Sequence, residues 1–544
     1  VVNRAARQKT PRWLLVWAVA LIVLGVFFRF YNVDRKLYST DETTTSLHVS
    51  GHTLVDYQSL VDGRIHSATE FLVYQHVNPS RGPADVVRVL ASEDPEHPPV
   101  YYVAEREWMA LAGNSIAARR AFSALAGVAA IGAAFWFAGE LFGTTAPALA
   151  VAALVAVSPF HVFYAQTARE YELWALVTLI SSAFLARAIR RGNWTDWAAY
   201  ALTCAIALYT DVIFLFILCG QLVFVVVAML RERPRAVVAC TVAIGCALAA
   251  FGPWLLIMIE DAKHHSVTKN DFTTALPIKL VVLKWAFITG QTFMDLDYKY
   301  PKTAILLPLI FAFIIAAFVI LVRSTPTRIW LHVVTLTSAT TLSLLLFDFV
   351  KHDTVTTQSR YLVPTWLGIE CAVGFAIAKL AEGEGRRTRT FGAIAAWMFA
   401  LLGVASLAVS SQFREWYGGS GAGVPHQVDI IVKQSHPLII FKDDQRAWDE
   451  APLVFSNYVP ADARYEMIPR DGKPLSVPDH YLLALNSTPQ FRAQLEQRGY
   501  QLSDLYTFAE TGTLAPLRAQ SKDVRKQQGF IDFAPSIWGV TKAR

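Results

Sequence analysis

The chain reads as a polytopic α-helical membrane protein with about eleven transmembrane helices and a small C-terminal α/β domain outside the membrane. Three observations predict this. Hydrophobic residues make up 54% of the chain and charged residues 17%, against about a quarter charged in soluble domains, and the apolar excess lies in long runs. Basic residues gather in short loops between alternate runs. After residue 411 the composition changes, with Pro, Asp, Arg and Gln throughout and only short strand-like runs.

The apolar runs fall at about 13–30, 117–141, 144–159, 171–189, 195–210, 212–230, 236–259, 303–322, 328–347, 361–380 and 391–411. A bilayer core takes about 20 apolar residues per helix. The third run is short and ends at Ser158-Pro159. The first is followed by Arg29 and aromatic residues, not by a small-residue cleavage site, so it reads as an anchor and not a cleaved signal. Arg4, Arg7, Lys9 and Arg12 precede the first run. Arg187, Arg190 and Arg191 follow the fourth, and Arg231, Arg233 and Arg235 follow the sixth. Arg323 and Arg328 follow the eighth, and Arg386, Arg387 and Arg389 the tenth. With the N-terminus inside, every cluster is cytoplasmic, as the positive-inside bias requires. The expected location is the plasma (inner) membrane, with the C-terminal domain periplasmic or extracellular.

The other face then collects a long first outer loop (30–116), 158–170, 209–211, 260–301 and 348–360. The stretch 276–293, interrupted by Lys279, Lys284 and Gly290, reads as a re-entrant or interfacial helix. The expected domains are 1–411, transmembrane and catalytic, and 412–544, soluble. In the tail, 437–441, 453–455 and 481–485 read as strands. Thr488 to Gly499 reads as a helix with Thr488 as N-cap, Pro489 first and Gly499 at its end. The net charge of +6 is confined to loops and argues against nucleic-acid binding. All five cysteines lie within apolar runs, so no disulfide framework is expected.

Chemistry-bearing residues concentrate on the outer face. Asp41-Glu42 opens the first loop just beyond the membrane. The pair reads as a general base or as ligands for a divalent metal ion, with a solvated turn as the bland alternative. Glu96-His97-Pro98-Pro99 leads into a helix over 100–112 whose Glu105, Arg106 and Glu107 are expected on its wet side. Ser158 to Tyr171 is dense in polar groups between two apolar helices, and its Arg169 and Glu170 sit near membrane depth, where ions are rarely idle. It reads as an anion site for a phosphate or as a local ion pair. Asp211 interrupts an apolar stretch and is expected to face a cavity, and Arg360-Tyr361 places a second arginine on the same face. Lys279, Lys284 and His352 are further outer-face cations. No nucleotide-binding motif is present, so the phosphate is expected to arrive on a lipid.

The order of these pieces resembles the GT-C superfamily of glycosyltransferases that use polyprenyl-phosphate sugars. The branch it is most similar to lies near the bacterial protein O-mannosyltransferases and lipid A aminoarabinose transferases. The resemblance covers about 13–411. It rests on Asp41-Glu42, on His97-Pro98-Pro99-Val100-Tyr101-Tyr102, and on Ser158-Pro159-Phe160-His161 with Tyr164-Ala165-Gln166. Arg169 and Tyr171, Leu208-Tyr209-Thr210, and Arg360-Tyr361-Leu362 with Pro364 complete it. Two departures stand out. Relatives have Gln-Glu-Ala-Arg where this chain has Gln166-Thr167-Ala168-Arg169, and often His where it has Asp211.

The resemblance implies transfer of a monosaccharide, with inversion, from a polyprenyl-phosphate carrier to a hydroxyl on a glycan, lipid or protein at the extracytoplasmic face. Asp41 is the implied base with Glu42 beside it. Arg169 and Arg360 are the implied phosphate-binding pair, one of them free to serve a structural carboxylate such as Asp348 or Asp353. His97, Tyr164, Gln166, Glu170, Tyr171, Asp211 and Tyr361 are the implied substrate contacts. A divalent metal ion is the one cofactor considered. The competing readings are a transporter or flippase for a lipid-linked sugar, and a ligase that moves a whole glycan.

Overall fold

The computed structural model describes residues 10–264, 278–296, 300–351, 353–414, 423–442, 451–469, 482–485, 487, 489–507 and 536–542. The chain divides into two compact units: 1–33, 95–101 and 120–412 form the first, and 34–94, 102–119 and 413–544 the second.

The first unit is helical. Each of the eleven predicted runs is a helix. Among the described residues eight are long and apolar enough to cross a membrane, or nine if the bent pair Thr145–Val157 and Pro159–Ala165 is one span. The remaining two, Trp194–Leu208 and Phe214–Met229, have 15 and 16 residues. At 1.5 Å per residue they reach about 23 Å, short of a hydrocarbon core of about 30 Å. The predicted membrane-face helix is Ile278–Gly290, 13 residues long, and 276–277 lie outside the described residues.

The bend in the third run follows from its sequence. Thr145–Val157 is almost wholly Ala, Val and Leu and almost wholly buried. Ser158 precedes a proline, which disfavours the helical region, and it takes φ −62° and ψ 120°. Pro159 then opens the second piece at its first turn, and the two axes diverge by 57°. The Ser158 hydroxyl donates to the Thr292 carbonyl at 2.8 Å, which places the bend beside the end of Ile278–Gly290. After Ala165 the chain leaves the helix until Tyr171–Arg191, which ends at Gly192 in the left-handed region, φ +72°.

The second unit is built on six strands: β1 Ile65–Ser67, β2 Leu438–Lys442, β3 Arg464–Ile468, β4 Leu482–Leu485, β5 Tyr500–Thr507 and β6 Ser536–Lys542. Their order is β1-β3-β2-β4-β6-β5. β2 runs parallel to β3 and β4, and the other pairs are antiparallel. Side chains alternate as the pleat demands. Ile439, Phe441, Tyr465 and Met467 face one core, while Leu438, Ile440 and Ile468 face another with Phe491 and Leu495 of the helix Pro489–Gln497.

This architecture corrects several expectations. Most of the first outer loop, 34–94 and 102–116, assigned above to the transmembrane part, folds with the tail. β1 pairs with β3, and Leu37, Leu47, Tyr57 and Phe71 share the tail's first core, with the Phe71 and Tyr465 rings 5.0 Å apart. Leu453-Val454-Phe455 is helical, in Ala451–Ser456, because Pro452 suits a helix's first turn and a short apolar run has no readable period. Helix Val100–Ala112 forms as predicted, but Glu105 and Arg106 are buried and only Glu107 of the three is exposed. Gly499 has φ +81° after Pro489–Gln497, whereas Thr488 lies outside the described residues.

Candidate active site

In the second unit, the acidic pair is divided by its place in a helix. Ser39 caps Thr40–Val49. Its N–H donates to Glu42 Oε2 at 2.8 Å, and the Glu42 N–H donates back to Ser39 Oγ at 3.4 Å. This reciprocal cap is readable as Ser39-Thr40-Asp41-Glu42. Glu42 is fully buried and holds the helix start, while Asp41 in the same turn is exposed. Of the two carboxylates, Asp41 is the one a substrate can reach.

In the first unit, the His-Pro-Pro segment is strapped down at several points. The Val100 N–H donates to the Tyr209 carbonyl at 3.0 Å, and Trp254 Nε1 donates to the Pro95 carbonyl at 3.0 Å. Trp254 follows Pro253, a proline inside helix Pro234–His264, and the Tyr209 hydroxyl donates to the Ala250 carbonyl at 3.0 Å within a turn of it. Tyr101, Ser123 and the Arg169 carbonyl form a buried relay, 2.9 Å from Tyr101 to Ser123 and 3.0 Å from Ser123 to the carbonyl.

The strap brings His97 to Arg169 and Glu170. Arg169 Nη2 lies 3.1 Å from Glu170 Oε1 and 3.3 Å from His97 Nε2, and His97 Nδ1 is 3.4 Å from the same Glu170 oxygen. Arg169 and Glu170 are nearly enclosed, whereas the His97 side chain keeps 29% of its surface. Burial alone would raise the Glu170 carboxyl, but the Arg169 guanidinium and then the His97 hydrogen bond outweigh it and hold the group at about 2. Residues 166–170 are not helical, which lets the adjacent Arg169 and Glu170 side chains meet. Glu170 thus sets a carboxylate directly against Arg169. Arg169's structural carboxylate is therefore Glu170 and not Asp348 or Asp353. Asp348 instead accepts from the Val355 N–H at 2.8 Å and the Thr356 N–H at 3.0 Å, and Asp353 accepts from its neighbour's N–H, Thr354, at 2.6 Å.

Asp211 sits in the turn after Trp194–Leu208. Burial, then the Glu170 charge, push its carboxyl up to about 7, against the pull of the Ile213 N–H, His97 and Arg169. In the unfolded chain it returns to about 4. The folded state thus holds a proton that the unfolded chain has lost between about pH 4 and 7, so the stability this group supplies falls as pH rises through that window. Asp211→Asn keeps an oxygen for the Ile213 N–H, 2.8 Å away, and removes the ionisation. The variant is expected to melt above wild type at about pH 8, with the gap narrowing toward about pH 5. A gap that does not change with pH contradicts the assignment.

A second thread joins the other arginine to this group. The Tyr164 hydroxyl lies 3.1 Å from Ser359 Oγ, and the Tyr164 and Tyr171 rings are 4.8 Å apart. Arg169 Cζ stands 5.7 Å from the Tyr171 ring centroid, and Arg360 Cζ 5.2 Å from that of Tyr361. The structure thus gathers His97, Tyr164, Arg169, Glu170, Tyr171 and Asp211 and links them to Ser359-Arg360-Tyr361. Gln166 is used differently. Its amide donates to the Phe28 and Tyr31 carbonyls at 2.8 and 3.0 Å, fixing the segment to the end of helix Arg12–Phe30. Sequence reasoning missed Glu172 and Glu370, which lie 2.8 and 3.2 Å from the His161 ring, and Arg29, whose Nε shares the space beside Gly127 with Glu172 Oε2. Their signal was available, as single ions in apolar helices. Lys279 is exposed and Lys284 half-buried; His352 lies outside the described residues. Among the described residues no group of three or more His, Cys, Asp or Glu side chains has an arrangement that could hold a metal ion.

Residues 96–257 match the family model described as dolichyl-phosphate-mannose-protein mannosyltransferase. No curated protein sequence is a match for the chain. Among solved structures the chain is similar to ArnT from Cupriavidus metallidurans in the apo state. The identity is 13%, the TM-score 0.51, and the match covers 96% of this chain and 98% of that one. The same protein bound to undecaprenyl phosphate matches at 14% identity and a TM-score of 0.50 over the same shares of the two chains. At such identities the likeness is one of fold.

Proposed function

We propose that this chain is a multi-pass membrane glycosyltransferase of the GT-C superfamily and moves one sugar from a polyprenyl-phosphate carrier to a hydroxyl acceptor on the extracytoplasmic face. The observation that carries the reading is one coincidence. The segment matching the mannosyltransferase family, 96–257, is the segment whose His97, Arg169, Glu170 and Asp211 gather in one place.

The acceptor oxygen attacks the anomeric carbon while the bond from that carbon to the phosphate oxygen breaks, its electrons leaving with the phosphate. The acceptor is a glycan, lipid or protein. Asp41 takes the hydroxyl proton. The carrier passes from a phosphodiester with one negative charge to a monoester with up to two, so a cation that meets the growing charge lowers the barrier. Arg360, beside the Tyr361 ring, is the proposed cation, with Arg169 next to Glu170. Arg169 acts with it by holding Glu170 and His97 in place. A single displacement inverts the anomeric centre.

A ligase that moves a whole glycan from a lipid diphosphate is the alternative enzyme. Purified protein is expected to release polyprenyl monophosphate from a monophosphate-linked sugar and to leave a diphosphate-linked glycan intact; the reverse preference overturns the reading. The proposed orientation, N-terminus cytoplasmic and tail outside the inner membrane, rests on the basic loops. Protease added to the outer face of sealed cells or vesicles is expected to cut within 423–542. Cutting only from the cytoplasmic face contradicts it.

A further inference from the structure

Four fully buried ions in the first unit take no part in the chemistry just described. They come from four segments: Arg29 from Arg12–Phe30, His161 from Pro159–Ala165, Glu172 from Tyr171–Arg191 and Glu370 from Val363–Ala381. His161 Nδ1 lies 2.8 Å from Glu172 Oε1, and His161 Nε2 lies 3.2 Å from Glu370 Oε2. A singly protonated imidazole has one N–H and would turn a lone pair on one of these carboxylates; the doubly protonated ring donates to both. Arg29 balances the second carboxylate. Its Nη atoms donate to the Gly25, Ala156 and Val155 carbonyls at 3.0, 2.6 and 3.1 Å, clamping the first helix to the end of Thr145–Val157. Gly127 makes the room. A Cβ there would stand 2.8 Å from Glu172 Oε2 and 3.0 Å from Arg29 Nε.

The set holds two basic and two acidic side chains, so with all four ionised it carries no net charge. Buried ions are costly, and removing one of them strands its partner without compensation. What they gain here is position. They tie the bent helix to three neighbours immediately before and after the non-helical residues 166–170, which carry Gln166, Arg169 and Glu170.

We propose that Arg29, His161, Glu172 and Glu370 are positioning residues, a charge-balanced anchor that fixes the bent helix and so sets Arg169 and Glu170 in register for transfer. The activity readout rests on the glycosyl-transfer reading above.

The test is charge compensation in the purified full-length chain, reading turnover at saturating donor and melting temperature together. Glu370→Gln leaves a net positive set and His161→Gln a net negative one. Each is expected to lower turnover by about tenfold to a hundredfold, the scale of a misplaced site. The double variant His161→Gln/Glu370→Gln restores neutrality with Arg29 and Glu172. It is expected to exceed either single variant about fivefold in turnover and to melt above both, a coupling that loss of packing alone does not produce. Gly127→Ala, a change that favours a helix elsewhere, is expected to lower turnover as the single variants do by forcing Arg29 and Glu172 apart. Single variants with wild-type turnover, or a double variant no better than the worse single, overturn the anchor. If the wild type transfers no sugar, the transfer reading fails by itself. The anchor then stands or falls on whether the double variant melts above the single ones.

Discussion

Asp41→Asn is expected to lower sugar transfer by about a hundredfold or more, the usual contribution of a positioned general base, while the protein folds as wild type. The reason lies in how the acidic pair is divided. Asp41 is exposed in the first turn of Thr40–Val49, and asparagine keeps its size and shape there. Glu42 is fully buried and closes the reciprocal cap with Ser39. Glu42→Gln keeps that cap, because glutamine accepts the same N–H, and its effect on turnover is expected to be small. Glu42→Ala removes the acceptor, so its loss should appear first in melting temperature. Turnover of purified protein, with circular dichroism to check folding, separates the cases. Wild-type turnover in Asp41→Asn removes it from the mechanism.

The two arginines are expected to fail in different ways. Arg169→Ala leaves the enclosed Glu170 carboxylate without its cation, a change that typically costs about 3–5 kcal/mol, so the variant should melt well below wild type. Arg360→Lys keeps a charge but loses the planar fork that matches a phosphate. It is expected to lower turnover by about a hundredfold, the scale of losing one donor to a developing oxyanion. Arg360→Ala is expected to weaken binding of a non-hydrolysable polyprenyl-phosphate sugar analogue as well. Titrating the analogue into each purified variant tests this. Wild-type affinity in both Arg360→Ala and Arg169→Ala places the phosphate elsewhere.

Local chemistry was legible in the sequence wherever a signal was short-range. Ser158-Pro159 predicts the end of a helix, and the structure bends there by 57°. His97-Pro98-Pro99 predicts an extended entry to the helix that forms at Val100–Ala112. Long-range pairing was not legible. β1 has three residues, too few to show a period, so nothing in 65–67 announces its partner at 464–466. Glu172 and Glu370 are each visible as a lone acid in an apolar helix. That both meet one histidine is a fact of helix packing, 11 residues away in one case and 209 in the other. The Arg169–Glu170 contact depends on 166–170 leaving the helix, which no short-range signal marks. The short helices Trp194–Leu208 and Phe214–Met229 show the reverse limit, since an apolar run marks a helix without fixing how much of it is long enough to span.

The central claim is that the chain breaks the bond between a sugar and a lipid phosphate, and does not move the intact lipid. The direct measurement is to reconstitute the purified full-length protein in vesicles with a polyprenyl-phosphate sugar labelled in the sugar, add a hydroxyl acceptor, and follow the label and the lipid separately. The account predicts label on the acceptor and free polyprenyl phosphate in equal amounts, both depending on Asp41. Label that stays on the lipid while the lipid changes leaflet would contradict it and identify a flippase.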